Sequence, residues 1–78
     1  MKELVQVLAR SLVNHPDAVE VTETQSETAS ILELRVAKED LGRIIGKQGR
    51  TAKSIRTILN AAASRTNRWV VLEIIEEQ

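Results

Sequence analysis

Leu41-Gly42-Arg43-Ile44-Ile45-Gly46-Lys47-Gln48-Gly49-Arg50-Thr51-Ala52-Lys53-Ser54-Ile55-Arg56 is the stretch on which the reading of this 78-residue chain turns. Leu41, Ile44 and Ile45 stand at helical spacing, and Glu39 and Asp40 place negative charge in the first turn, where it complements the helix dipole. Gly46 and Gly49 then break the short helix. A longer helix is predicted from about Arg50 to Arg65, with Ala52, Ile55, Ile58, Leu59 and Ala62 on its inner face and Arg50, Lys53, Arg56 and Asn60 displaced from it. Glycine at both ends of the connection lets another backbone approach closely, and it exposes amide N–H groups at the N-terminus of the longer helix, a geometry that favours an anion. Lys47 adds a flexible ammonium and Arg50 a planar guanidinium suited to phosphate, while Arg43, Lys53 and Arg56 continue the positive track.

Two other phosphate motifs fail on spacing. A nucleotide P-loop needs four residues between its glycines and then Gly-Lys-Ser/Thr, whereas Gly42 and Gly46 enclose three and Lys47 is followed by Gln48. A dinucleotide fingerprint needs Gly-x-Gly-x-x-Gly after a strand, but Gly42, Gly46 and Gly49 follow a helix at the wrong intervals.

Outward from this segment, Leu4, Val5, Leu8 and Leu12 form the stripe of an amphipathic helix from about Lys2 to Val13, stopped by Asn14-His15-Pro16-Asp17. Val19 and Val21 alternate with Glu20 and Thr22, and Leu32, Leu34 and Val36 with Glu33 and Arg35. These are two half-buried strands joined by the polar segment Thr24 to Ser30. Trp69 to Ile75 is a third strand by its β-branched density. The order helix, strand, strand, helix, helix, strand is an α+β pattern, read as one domain over residues 1–78. Val19, Val21, Leu32, Leu34, Val36, Val70, Leu72 and Ile74 would line one sheet face under three helices, and the two-helix connection is long enough to make the last two strands parallel. Trp69 is expected to anchor the start of its strand, which leaves no aromatic platform for stacking bases. Within Ala61-Ala62-Ala63, Ala62 is expected to pack inward.

The eleven basic and eleven acidic residues cancel, but not locally. Residues 1–40 carry −4, residues 41–68 hold seven cations and no carboxylate, and the tail, with Glu73, Glu76 and Glu77, carries −3. With a Debye length of ~8 Å at physiological salt, the flanks cannot neutralise the middle block. Zero Cys and one His exclude a thiolate or structural zinc site, and no cofactor or metal is expected. His15, at the end of the first helix, is placed to bond free carbonyls. No apolar run is long enough to cross a membrane, and the N-terminal segment lacks a signal peptide's apolar region, so the chain reads as cytoplasmic. Without a Cys nucleophile or a pair of carboxylates able to flank one bond, it reads as a non-enzyme with no small-molecule substrate.

Ile44-Ile45-Gly46-Lys47-Gln48-Gly49, with the hydrophobic pair before the glycines and the basic helix after them, resembles the K-homology (KH) module, whose Gly-x-x-Gly loop clamps about four single-stranded nucleotides. The element order is similar to the type II KH fold. Pro16-Asp17, Asp40-Leu41-Gly42-Arg43 and Arg50-Thr51-Ala52-Lys53-Ser54-Ile55-Arg56 extend the likeness to small stand-alone bacterial KH proteins of the KhpA type. The resemblance implies single-stranded RNA binding through Arg43, Ile45, Gly46, Lys47, Gln48, Gly49, Arg50, Lys53 and Arg56, with Ile45 beside a base. It further implies an RNA-chaperone or post-transcriptional role, a link to cell elongation and division, homodimers, and heterodimers with a second KH protein of the Jag type. The alternatives are an ordinary helix-helix turn at the glycines, a solvated basic face beyond them, and a module that chiefly dimerises and docks a protein partner.

Overall fold

The computed structural model describes residues 1–76. Glu77, counted above with the acidic tail, lies outside the described residues. The elements are α1 (Lys2–Leu12), β1 (Glu20–Gln25), β2 (Ala29–Arg35), α2 (Leu41–Ile45), α3 (Arg50–Ala63) and β3 (Trp69–Ile75), with single 3-10 turns at Pro16–Ala18, Lys38–Asp40, Lys47–Gly49 and Ser64–Thr66. The fold is α+β, a three-stranded mixed sheet with three α-helices, as the type II KH order requires. β2 is central, antiparallel to β1 and parallel to β3, with Val21 opposite Leu34 and Leu32 opposite Leu72.

The core joins Val5 and Ala9 of α1, Ile44 of α2 and Ile55 and Leu59 of α3 to Val21, Leu32, Leu34 and Leu72 of the sheet. Val19 and Val36 are buried just outside the strand ends. The strands reach further into the polar segment than apolar alternation indicates. Its bend is only Ser26-Glu27-Thr28, where the Ser26 hydroxyl accepts from the Ala29 amide at 3.1 Å, and Ser30 is buried on the core side. A polar residue in a strand can thus hold the ladder without contributing to the hydrophobic pattern.

The inner face of α3 differs from the one expected. Ala52, Ile55, Leu59 and Ala63 are buried, whereas Ile58 is 45% exposed and Ala62 is exposed. The helix is covered by one sheet, so only a stripe of about 100° faces it, and Ile58 and Ala62 fall on its flank. Trp69 is a second departure. Its main-chain N–H starts the strand by donating to the Thr28 carbonyl at 2.9 Å, but its side chain is 74% exposed and anchors nothing.

Asp40, expected to serve the dipole of the short helix, is fully buried instead. Its carboxylate accepts from the main-chain amides of Asn14 at 3.1 Å and His15 at 3.0 Å, pinning the chain after α1 to the entrance of α2. The His15 imidazole stands 3.9 Å from the Glu39 carboxylate at the surface and does not bond the α1 carbonyls. No helix among the described residues is long and apolar enough to cross a membrane, and they contain no cluster of metal-ligating side chains.

Candidate nucleic-acid interface

The connection between α2 and α3 is built on left-handed backbone. Gly46 (φ 77°), Gln48 (φ 58°) and Gly49 (φ 75°) all have positive φ, so the chain reverses within four residues. Gly46 closes α2 with its N–H on the Gly42 carbonyl at 2.8 Å, and the Gly49 N–H bonds the Gly46 carbonyl at 3.1 Å. Gly46 has a further constraint: a Cβ there would meet the Thr51 hydroxyl, with the Thr51 Cβ at 2.6 Å and its main-chain nitrogen at 2.8 Å. Gly49 has open space around its Cβ position, so only its φ demands glycine.

This packing turns Lys47 and Gln48 outward at the tip of the connection, both exposed, directly ahead of the fourteen-residue α3. The first turn of α3 carries no acidic residue, and Arg50 and Lys53 stand where the dipole already disfavours positive charge. Arg43, on α2, is exposed beside them in sequence, and Ile45 is half-buried before the loop. The ion pairs among the described residues are Met1 with Glu3 and His15 with Glu39, so neither engages Arg43, Lys47, Arg50, Lys53 or Arg56. Arg50 donates to the Gln48 side-chain carbonyl at 3.2 Å. Arg43, Lys47, Arg50 and Lys53, exposed on the turn and on the two helices that flank it, thus have no ion-pair partner among the described residues, a composition suited to a polyanion.

Comparison with known proteins covers nearly the whole chain. The family model described as KhpA/KhpB, KH domain, matches residues 2–74. The chain belongs to the KhpA/KhpB family of KH domains. "RNA-binding protein KhpA" of Clostridium acetobutylicum is 56% identical over 75 residues, covering 96% of this chain and all of that protein. The proteins of that name from Chlamydia pneumoniae and Listeria monocytogenes are 50% and 46% identical, covering 100% and 97% of this chain and all of each relative. Among solved structures, Era of Aquifex aeolicus bound to GDP.AlF4- superposes with a TM-score of 0.60 at 20% identity, over 97% of this chain and 31% of that one. That likeness is one of fold.

In the chain, Ile45, Lys47, Gln48 and Arg50 lie in or next to the Gly46 to Gly49 turn, with Arg43 on α2 before it and Lys53 on α3 after it. The Arg56 guanidinium, further along α3, is engaged with β3, donating to the Leu72 carbonyl at 3.2 Å. β3 is an edge strand, and the Trp69 N–H points to β2, so alternation leaves the main-chain groups of Val70, Leu72 and Ile74 on its open side. Arg56 bridges α3 to that edge. Sequence reasoning missed Thr51, which fills the space a Gly46 side chain would need, and Leu72, whose contribution is a carbonyl. The Gly46-to-Thr51 spacing carried no signal beyond the motif itself.

Proposed function

We infer that this protein binds single-stranded RNA by clamping its sugar-phosphate backbone at Gly46 to Gly49. The observation that carries the reading is the left-handed Gly46-Lys47-Gln48-Gly49 turn, exposed at its tip, with exposed Arg43 before it, Arg50 and Lys53 after it, and no carboxylate between residues 41 and 68. The glycines let a phosphate lie against the turn, the cations neutralise its neighbours, and Ile45 offers an apolar edge to a base. Arg56, on the β3 edge, supplies guanidinium donors to the same strand. The role is a non-enzymatic one in the cytoplasm, without cofactor or small-molecule substrate. It is that of an RNA chaperone or post-transcriptional regulator, and family resemblance ties it to cell elongation and division.

Replacing Lys47 and Gln48 together by Asp tests the clamp. The expected outcome is a loss of single-stranded RNA binding in a gel-shift assay with an unchanged circular-dichroism spectrum and unfolding midpoint. Unchanged RNA affinity in that folded double variant would sink the reading.

A second reading is favoured by one observation. Ile58 and Ala62 are exposed on a flank of α3 away from the Arg56 side, an apolar strip suited to a second KH domain, either another copy of this chain or a protein of the Jag type. Pairing would add a second clamp on one RNA and raise affinity through effective concentration. Were docking the main activity, affinity for the partner would survive charge reversal at the loop and vary little with salt.

A further inference from the structure

α3 leads from the clamp to a second feature. Arg56, Asn60 and Ser64 recur at four-residue spacing along one flank of the helix, the flank turned to the β3 edge, as the bond from Arg56 to the Leu72 carbonyl shows. At the far end of that flank lies an open cleft of about 400 Å³ lined by Asn60, Ser64, Asn67, Arg68 and Trp69. Asn67, in the left-handed region at φ 55°, turns the chain out of α3 and delivers Trp69 to the cleft wall. A tryptophan that is 74% exposed does not serve the core, and it is the only aromatic residue of the chain. The lining contains amides, a hydroxyl, a guanidinium and an indole, but no carboxylate, and all of it except Trp69 belongs to the block of residues 41–68 that holds seven cations and no anion. Arg68 is committed to the hairpin carbonyls of Ser26 and Ala29, which fixes the floor of the cleft beside the indole.

We propose that Trp69, at the end of the flank that begins at the clamp, is a stacking platform for a nucleobase of the same RNA strand, one that lies beyond the nucleotides held at Gly46 to Gly49. An exposed ring face in a cleft lined by amides and a guanidinium, with no carboxylate in the lining, is the chemistry that single-strand binders use to hold bases without reading their sequence. A docked protein would take the ring equally well but would gain nothing from the absence of acidic neighbours. The site therefore lengthens the RNA contact and does not sharpen its specificity. It rests on the clamp reading.

The test uses oligouridine of about four nucleotides, enough to fill a clamp, and of about twice that length. With one Trp and no Tyr or Phe, the intrinsic emission of the full chain reports this residue alone. Expected is a change in Trp69 emission on binding the longer oligomer. Expected too is that Trp69→Ala, a surface change that leaves the fold intact, lowers the affinity gained from the added nucleotides by about 5- to 150-fold, the worth of one stacked base. Trp69→Phe, which keeps a ring, recovers part of that gain. If the longer oligomer binds but the emission is constant and Trp69→Ala keeps the full gain, the stacking site is overturned while the clamp stands. If the Lys47 and Gln48 double variant binds the short oligomer as well as the parent chain does, the clamp fails, whatever Trp69 does. If Trp69→Ala changes the oligomeric state and leaves the RNA length dependence untouched, the indole belongs to a protein contact and the proposal is again overturned.

Discussion

The Asp40 carboxylate accepts the main-chain N–H of His15 at 3.0 Å across twenty-five residues of sequence, and the Asn14 N–H beside it, with no solvent exposure of its own. The bond joins the end of α1 to the start of the helix that carries the glycine turn. Removing the carboxylate leaves two main-chain donors short of a partner in a partly buried place, and hydrogen bonds to a charged group are worth ~1.5–3 kcal/mol each. Asp40→Ala is therefore expected to lower stability by about 2–4 kcal/mol. Asp40→Asn, which can offer only one acceptor oxygen, should lose less. Urea unfolding midpoints of the three proteins check the order; an Asp40→Ala variant as stable as the parent would refute the role.

The three glycines of the segment differ in what they demand, and alanine should separate them. At Gly46 a Cβ meets Thr51 and the φ of 77° is unfavourable as well, so Gly46→Ala should be the most damaging. At Gly49 only the left-handed φ counts, a cost of ~1–2 kcal/mol. Gly42 is helical with open space around it, so Gly42→Ala should stabilise the protein by about 0.5–1 kcal/mol. Thermal unfolding of the set tests the ranking, and a Gly42→Ala variant less stable than the parent contradicts it.

Salt gives a count of the phosphates engaged. For single strands the logarithm of affinity falls against the logarithm of salt with a slope of about −0.7 per phosphate neutralised. Arg43→Gln and Lys53→Gln should each make that slope shallower by about 0.7 in filter-binding titrations. A variant with lower affinity and the parent's slope would show that its cation acts on the fold and not on phosphate.

Much of this was legible in the sequence because the signals are local. Two-residue alternation in Val19-Glu20-Val21 and Leu32-Glu33-Leu34, and the pair of glycines three apart, are statements about neighbouring residues, and they gave the sheet, the helices and the turn. The failures are relations across distance. Which of Ile58, Ala62 and Ala63 faces the sheet depends on where α3 sits over β2 and β3, because a period of 3.6 residues accommodates either choice. Asp40 looks like a surface carboxylate until the chain after α1 is brought against it. The exposure of Trp69 follows from the Asn67 turn, and its aromatic bulk alone argued for burial. The candidate site residues were proposed through the motif, whereas the bond from Arg56 to Leu72 was not foreseen, since no side chain at position 72 announces a carbonyl.

Arg50 offers a test in which stability and binding move in opposite directions. It occupies the first position of α3, where the helix dipole disfavours a cation, and the side-chain bond it makes is to its exposed neighbour Gln48. A residue placed there for the fold would be acidic. Arg50→Glu should thus stabilise the free protein by about 0.3–1 kcal/mol at low salt, the worth of the corrected dipole interaction. It should at the same time weaken RNA binding more than Arg50→Gln does, because it sets a negative charge where the clamp receives phosphate. Paired unfolding and gel-shift measurements on the two variants decide the point. If Arg50→Glu were both less stable and unchanged in RNA affinity, Arg50 would be a structural residue and the positive track would begin at Lys47 without it.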